Sequence, residues 1–182
     1  MTEATVAHRR YDGATIALHW TTAALVLILF GTSLAWNYGP RGWDREALQS
    51  IHISLGIALA AVLIVRLAWR LLAGRRLAAA GNSINALLSR LVHFALYLLL
   101  IVQAGLGFGL RWVQGETFSF FGLFSVPALI APNRGLERVL ETWHNITAWT
   151  LIYLVAGHAA AALIHHYAAK DGVLRRMLPM RG

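Results

Sequence analysis

Four apolar runs dominate the sequence and leave the chain few ways to fold. Each run is long enough to cross the hydrocarbon core of a bilayer, which takes about 20 helical residues. The runs cover approximately residues 14–36, 50–72, 90–112 and 144–168. Inside a bilayer no water is present to form hydrogen bonds with the backbone N–H and C=O groups, so we expect each run to be helical. The sequence therefore predicts an all-α fold, an integral membrane four-helix bundle.

Composition supports this class and excludes several others. Charged residues make up only 13% of the 182 residues, whereas soluble domains carry about 25%. No Pro-, Ser- or Gly-rich linker interrupts the chain, so we expect one domain over residues 1–182. The absence of cysteine excludes disulfides, iron–sulfur clusters, cysteine-based zinc sites and covalent haem attachment.

Basic residues cluster between the apolar runs, which is a topology signal rather than a nucleic-acid-binding face. One side has Arg9, Arg10, Arg70, Arg75, Arg76, Arg90, Lys170, Arg175, Arg176 and Arg181. The other side has Arg41, Arg45, Arg111, Arg134 and Arg138, offset by five acidic residues. The positive-inside rule then places both termini in the cytoplasm, and we expect a multi-pass membrane protein.

The longest connection, residues 113–143, has an apolar centre at residues 118–132. Such a segment is too apolar to extend freely into water, so we expect it to lie on the bundle as an interfacial cap. Asn133 follows, and its position before NRGLERVLETW predicts an N-cap of a helix that continues into the fourth span.

Seven of the eight histidines lie in or beside the spans, although ionisable side chains are costly in lipid. They are His19, His52, His93, His144, His158, His165 and His166, and only His8 lies in the polar N-terminal tail.

Four of these histidines pair by depth. His158 follows His144 by fourteen residues, a rise of about 21 Å on nearly the same helix face. The predicted topology puts His52 level with His144 on the outer side and His19 level with His158 on the inner side. Two imidazoles from different helices suit the two axial positions of a non-covalent haem b iron. Zinc more often recruits carboxylate or thiolate as well, and a single membrane histidine can also serve as a helix–helix hydrogen bonder.

Arg66 lies fourteen residues after His52 in the second span, which brings it level with the inner histidine pair. Haem propionates would supply the anion that a guanidinium in lipid needs, and snorkelling to the interface is the alternative. We expect His93 to be an interfacial residue without a partner at its depth. His165 and His166 are either snorkelling interfacial residues or part of a proton-linked site.

The residues resemble the bacterial cytochrome b561 proteins, which are four-helix dihaem membrane cytochromes, and the resemblance implies a place in the bacterial inner membrane. The resemblance rests on YDGATIALHW, IHISLGIALAAVLIVRLAWRL, SRLVHFALYLLLIVQAGLG and WHNITAWTLIYLVAGHAAAALIHHY with KDGVLRRMLP, and it covers most of the chain. It implies that His19, His52, His144 and His158 are the ligands of two haems b. The best-understood members are superoxide oxidases, which implies periplasmic superoxide as electron donor and ubiquinone as acceptor. The resemblance also implies a quinone site at His165, although AAKD replaces the aromatic-rich stretch of some relatives there.

Three functions remain open from the sequence. The leading function is electron transfer from a periplasmic one-electron donor to membrane quinone, as a superoxide:ubiquinone oxidoreductase. In this function the protein contacts lipid and does not bind nucleic acid. Another is a cytochrome b anchor subunit of a multi-subunit dehydrogenase or hydrogenase. A third is a metal-ion binding or transport protein lined by histidines.

Overall fold

Four long helices form the structure, a computed structural model that describes residues 10–75, 77 and 83–178. They are α1 (Gly13–Tyr38), α2 (Arg45–Leu72), α3 (Ser83–Val113) and α4 (Arg134–Ile164). All four are long and apolar enough to cross a membrane, so the predicted four-helix membrane fold is confirmed. His8 of the polar N-terminal tail lies outside the described residues, as do Arg9, Arg76 and Arg181 of the basic clusters.

Polar caps make two helices begin earlier than the apolar runs predict. Asp44 accepts a hydrogen bond from the Ala47 amide at 2.9 Å, and α2 therefore begins at Arg45. Asn133 accepts from the Leu136 amide at 3.0 Å, as its predicted N-cap role requires. The polar helix after Asn133 is thus continuous with the fourth membrane span.

Helix α1 packs along α2, and α3 packs along α4. Six apolar side chains meet between the helices and form the core: Val26, Leu29, Leu59, Leu63, Leu100 and Leu151. Large side chains on the opposite faces are exposed, for example Ile64 with 68% of its surface accessible. In a bilayer these faces contact lipid, which solvates them as well as a protein core would.

A short β-hairpin covers one end of the bundle between α3 and α4. Its strands β1 (Phe118–Phe120) and β2 (Phe124–Val126) pair antiparallel. The buried Ser54 hydroxyl of α2 donates to the Ser119 carbonyl at 3.2 Å and accepts from the Phe121 amide at 3.0 Å. The apolar segment expected to cover the bundle therefore lies against α2, and it does so as a hairpin. We call this end of the bundle the outer end.

At the opposite, inner end, Asp12 joins the start of α1 to the end of α2. Its carboxylate accepts from the Thr15 amide and hydroxyl, from the Trp69 indole at 2.9 Å and from the Arg75 amide at 3.0 Å. Burial acts to raise the pKa of this carboxyl, but the hydrogen bonds outweigh it and hold the pKa well below its usual value. Asp12 therefore remains a carboxylate throughout the physiological range.

We expect Asp12→Asn to lower the free energy of unfolding by about 1–2 kcal/mol, because the new amide would face the Arg75 N–H donor. Since the folded pKa is depressed, the wild-type advantage is complete above the unfolded pKa of about 3.9 and declines as the pH falls further. Thermal unfolding in detergent at several pH values measures both effects. Asp44→Asn, whose carboxylate caps only one amide, is the matched control and should change stability by a few tenths of a kcal/mol. Equal losses in the two variants would contradict the role given to Asp12.

Candidate functional site

The structure brings the four depth-matched histidines together in two pairs. The ring centres of His52 and His144 lie 6.4 Å apart, and those of His19 and His158 are also 6.4 Å apart. Each pair has one member on α4, while the others lie on α2 and α1. Imidazole nitrogens bind first-row metals at about 2 Å, so two rings on one ion have centres roughly 6 Å apart. Both distances therefore suit a single iron between the rings.

The outer pair begins with His52, whose ring is oriented by α1. Its Nδ1 lies 3.0 Å from the Leu29 carbonyl and 3.1 Å from the Thr32 hydroxyl. Trp36 packs edge-on against the same ring, with the ring centres 4.8 Å apart. An Nδ1–H that donates to a carbonyl leaves the lone pair on Nε2, which is the tautomer that a metal ligand needs.

His144 completes the outer pair and is held by α3. The carboxamide nitrogen of Gln103 lies 3.1 Å from His144 Nε2, and the Thr147 hydroxyl donates to the carboxamide oxygen. The other ring nitrogen, Nδ1, is buried and has no hydrogen-bond partner among the described residues. A Cβ added at Gly107 would lie 3.4 Å from this ring, so the glycine allows the close approach of α3. Because buried polar atoms are normally paired, a buried ring nitrogen without a protein partner among the described residues suits a position that a ligand would occupy.

The inner pair has a third imidazole beside it. The ring of His93 lies 5.3 Å from that of His158, and its Nδ1–H donates to the Ser89 carbonyl at 2.6 Å. The prediction that His93 has no partner at its depth is therefore wrong. The tilt of α3 and its position along the bundle axis decide which of its side chains reach α4. Neither can be predicted from the sequence of α3 alone.

Arg66 lies beside the inner pair, at the level that its spacing predicts. Its guanidinium donates to His19 Nδ1 at 3.0 Å and lies 5.1 Å above the centre of the Tyr97 ring. Arg70 lies 5.6 Å from the same ring. None of the described carboxylates forms a salt bridge with either arginine. Two guanidinium groups held by one aromatic ring form a cationic site at the inner pair, suited to an anionic partner.

His165 and His166 follow α4 in a single π-helical turn, His165–Ala169. The two side chains have different surroundings: His165 forms an ion pair with Asp171, whereas the His166 ring packs on Tyr167 with 4.8 Å between the ring centres. His165 is therefore held by a carboxylate rather than simply extended toward the interface.

The five outer arginines also differ from one another. Arg111 pairs with Glu116, and Arg134 pairs with Glu137 at 3.1 Å. The remaining three are exposed: Arg41, Arg45 and Arg138. The outer surface thus retains positive side chains that are open to small anions.

Among residues 10–75, 77 and 83–178, no group of three or more histidine and carboxylate side chains could hold a metal ion together. A structural metal site usually has four protein ligands. The histidines form the outer pair and, at the other level, the inner pair with His93 beside it. The spacing within each pair is suited to axial ligation of a macrocycle.

The chain belongs to the prokaryotic cytochrome b561 family, whose family profile matches residues 10–180. It is therefore a multi-pass bacterial membrane protein of a haem b family that transfers electrons.

Individual relatives agree with this class. Cytochrome b561 homolog 2 of Escherichia coli (strain K12) is 33% identical over 93% of this chain and 91% of its own length. Probable superoxide oxidase CybB of Yersinia pestis is 28% identical over 96% of this chain and 98% of its own length. Cytochrome b562 of Cereibacter sphaeroides is 27% identical over 94% of this chain and 96% of its own length.

Proposed function

We propose that this chain is a dihaem electron carrier of the bacterial inner membrane, which passes electrons from superoxide at the outer end to ubiquinone at the inner end. One observation supports the proposal most directly. In each of the two histidine pairs the ring centres are 6.4 Å apart, and one histidine of each pair lies on α4. The whole chain acts as one unit in this proposal, with both termini in the cytoplasm and the outer end in the periplasm.

His52 and His144 would hold the outer haem, and His19 and His158 the inner haem. A haem b held by two histidines would supply one-electron redox chemistry. The residues of this chain orient the ligands: Leu29 and Thr32 hold His52, and Gln103 contacts His144. Electron relay is the chemistry that such residues support.

Superoxide is the proposed donor. Exposed cations increase the rate of encounter with small anions, and three of them are interspersed with exposed Asp44, Glu46 and Glu141 at the outer end. Arg41, Arg45 and Arg138 supply these charges. The relative named probable superoxide oxidase, which aligns over nearly its whole length, supports the same donor. Ubiquinone would be reduced near His165 at the inner end.

Arg66 would bind a propionate of the inner haem, with Tyr97 and Arg70 beside it. A positive charge near a haem stabilises the reduced form, so we expect Arg66→Gln to lower the inner potential by on the order of 50 mV. Redox titration of the haem absorbance measures this shift. Arg70→Gln should lower the potential less, since Arg70 is exposed and solvent screens its charge. An equal shift of both haems, or none, would contradict the assignment.

The purified protein alone tests the proposed function. A reduced-minus-oxidised spectrum should contain low-spin haem b bands, and a superoxide-generating system should drive reduction of a short-chain ubiquinone analogue. Failure to reduce quinone without another subunit would favour the anchor-subunit function. Absence of the haem bands would instead reopen the metal-ion function.

A further inference from the structure

A carboxylate at the inner end is held against His165 by the chain reversal that follows α4. The His165 carbonyl accepts hydrogen bonds from the amides of Lys170 and Asp171, the latter at 3.3 Å. Lys170 takes a left-handed conformation with φ 53°, and Gly172 follows with φ 75°. These two left-handed residues flank Asp171 and turn the chain back sharply, which brings the Asp171 side chain onto the His165 ring. A left-handed lysine costs about 1 kcal/mol, so the surrounding contacts must hold the turn in place.

Those contacts come from the N-terminal part of the chain. The Tyr11 amide donates to the Arg176 carbonyl at 3.2 Å, and the Arg10 side chain donates to the Arg175 carbonyl at 3.0 Å. The Trp20 indole donates to the Met177 carbonyl at 2.8 Å. The segment that contains Asp171 is therefore fixed on both sides, by α4 before it and, after it, by residues 10–11 and Trp20 of α1.

The same contacts bring this segment to the inner histidine pair. The Trp20 ring that binds the Met177 carbonyl also packs edge-on against His19, with 5.4 Å between the ring centres. The end of the 165–177 segment thus lies beside the inner histidine pair, the level at which the proposed quinone would be reduced. Both members of the His165–Asp171 pair remain partly accessible there, with 35% and 29% of their side-chain surfaces exposed.

The two carboxylate oxygens of Asp171 have different partners. One Asp171 oxygen accepts from the Val173 amide at 3.1 Å, and the other binds His165 Nδ1. Burial acts to raise the pKa of the Asp171 carboxyl, but these bonds and the charges of His165 and Arg176 outweigh it and keep the pKa below its usual value. Asp171 thus remains an anion that fixes a proton on Nδ1 and directs Nε2 away from the carboxylate. No described residue hydrogen-bonds to that Nε2.

We propose that Asp171 is a positioning residue for quinone reduction: it orients His165 so that Nε2–H delivers a proton to a quinone carbonyl oxygen. The inference rests on the proposed function. Two superoxide ions give one electron each and become two dioxygen molecules, and the electrons reach one quinone in succession. Two protons from the inner aqueous side convert its two carbonyl oxygens to hydroxyl groups. For one of them, the His165 imidazolium, whose Nδ1–H is held by the Asp171 carboxylate, gives up its Nε2 proton as the O–H bond forms. A hydronium ion from the inner aqueous side then reprotonates Nε2.

The experiment separates the proton-coupled step from electron delivery. The purified holoprotein is reduced with dithionite and mixed with excess ubiquinone-1, or in parallel with ferricyanide, while haem oxidation is followed by absorbance. Ferricyanide accepts an electron without a proton. We expect Asp171→Asn to slow oxidation by quinone about tenfold to a hundredfold, as loss of an orienting partner does at other catalytic histidines, and to leave oxidation by ferricyanide unchanged.

Three further variants give the inference its specificity. Asp171→Glu keeps the carboxylate and should recover a substantial part of the quinone rate. His166→Gln is the matched control for His165→Gln, because the His166 ring packs on Tyr167 and not on Asp171. We expect only His165→Gln to slow the reaction with quinone.

The outcomes separate the inference from the function on which it rests. Wild-type quinone kinetics in Asp171→Asn would overturn the inference and leave the proposed function intact. Equal slowing with quinone and ferricyanide would also overturn it, since a distorted inner end affects both oxidants. Wild-type protein that ubiquinone-1 does not oxidise would contradict the quinone function itself. If superoxide fails to reduce a protein that quinone oxidises normally, only the proposed donor is wrong.

Discussion

Replacing His144 with alanine should leave the purified protein with about half of its haem, because the outer iron would lose one axial ligand while the inner pair stays intact. His52→Ala should have the same effect, since both side chains belong to the pair whose ring centres are 6.4 Å apart. The haem content per protein, from a pyridine haemochrome assay, measures the loss. The two absorbance spectra should match, because the same haem remains in both variants.

The reciprocal variants make this prediction sharper. His19→Ala and His158→Ala should each remove the other half of the haem and leave a spectrum that differs from that of the outer variants. His166→Ala should retain all of the haem, since its ring contacts Tyr167 rather than a histidine pair. A variant of His52 or His144 that keeps both haems would show that the outer pairing is wrong. If alanine at His158 were tolerated because His93 replaced it, His93→Ala in the same chain would remove the remaining inner haem.

The four spans were predictable because lipid imposes one requirement on every residue of a crossing segment, and apolar runs of 23–25 residues satisfy it only as helices. The depth of a side chain follows from the same regular rise, so the levels of His144, His158 and Arg66 could be calculated. Asn133 was recognisable because an N-cap depends on residues that are adjacent in the sequence.

Contacts between helices were less predictable, since they depend on the rotation and tilt of each helix. The packing of His93 on His158 and the approach of Gln103 to His144 both involve α3, and nothing in its own sequence fixes its rotation. The hairpin that binds Ser54 was unpredictable for a similar reason. Its apolar segment could cover the bundle in several conformations, and contacts with α2 decide which one forms.

The pairing of Asp171 with His165 had a visible but ambiguous signal. KDG after a helix indicates a turn, because glycine there permits a left-handed backbone. The sequence does not reveal that the helix first widens into a π turn, which decides where the carboxylate lies. A charged residue six positions after a histidine would otherwise be read as an exposed interfacial side chain.

Loss of either haem should stop electron transfer from superoxide to quinone, but the step that is blocked should depend on which haem is lost. In His52→Ala and His144→Ala, superoxide should no longer reduce the protein at the outer end, while ubiquinone should still oxidise the dithionite-reduced inner haem. In His19→Ala and His158→Ala, superoxide should reduce the outer haem normally, and that haem should then remain reduced in the presence of quinone. The physical reason is distance, since the two histidine levels on α4 are about 21 Å apart and electron transfer slows steeply over such a span.

Stopped-flow absorbance at the haem bands resolves both half-reactions, and we expect the blocked one to slow by at least about a hundredfold, equivalent to roughly 3 kcal/mol in the barrier. His166→Ala supplies the control, because it should leave reduction by superoxide unchanged. If outer-pair variants were still reduced by superoxide at the wild-type rate, electrons would enter at the inner haem and the exposed outer arginines would have no part in capture. If inner-pair variants still passed electrons to quinone, the acceptor site would lie at the outer end, far from His165 and Asp171. Each result would therefore change the proposed site of electron entry or exit and leave the assignment of the histidine pairs unaltered.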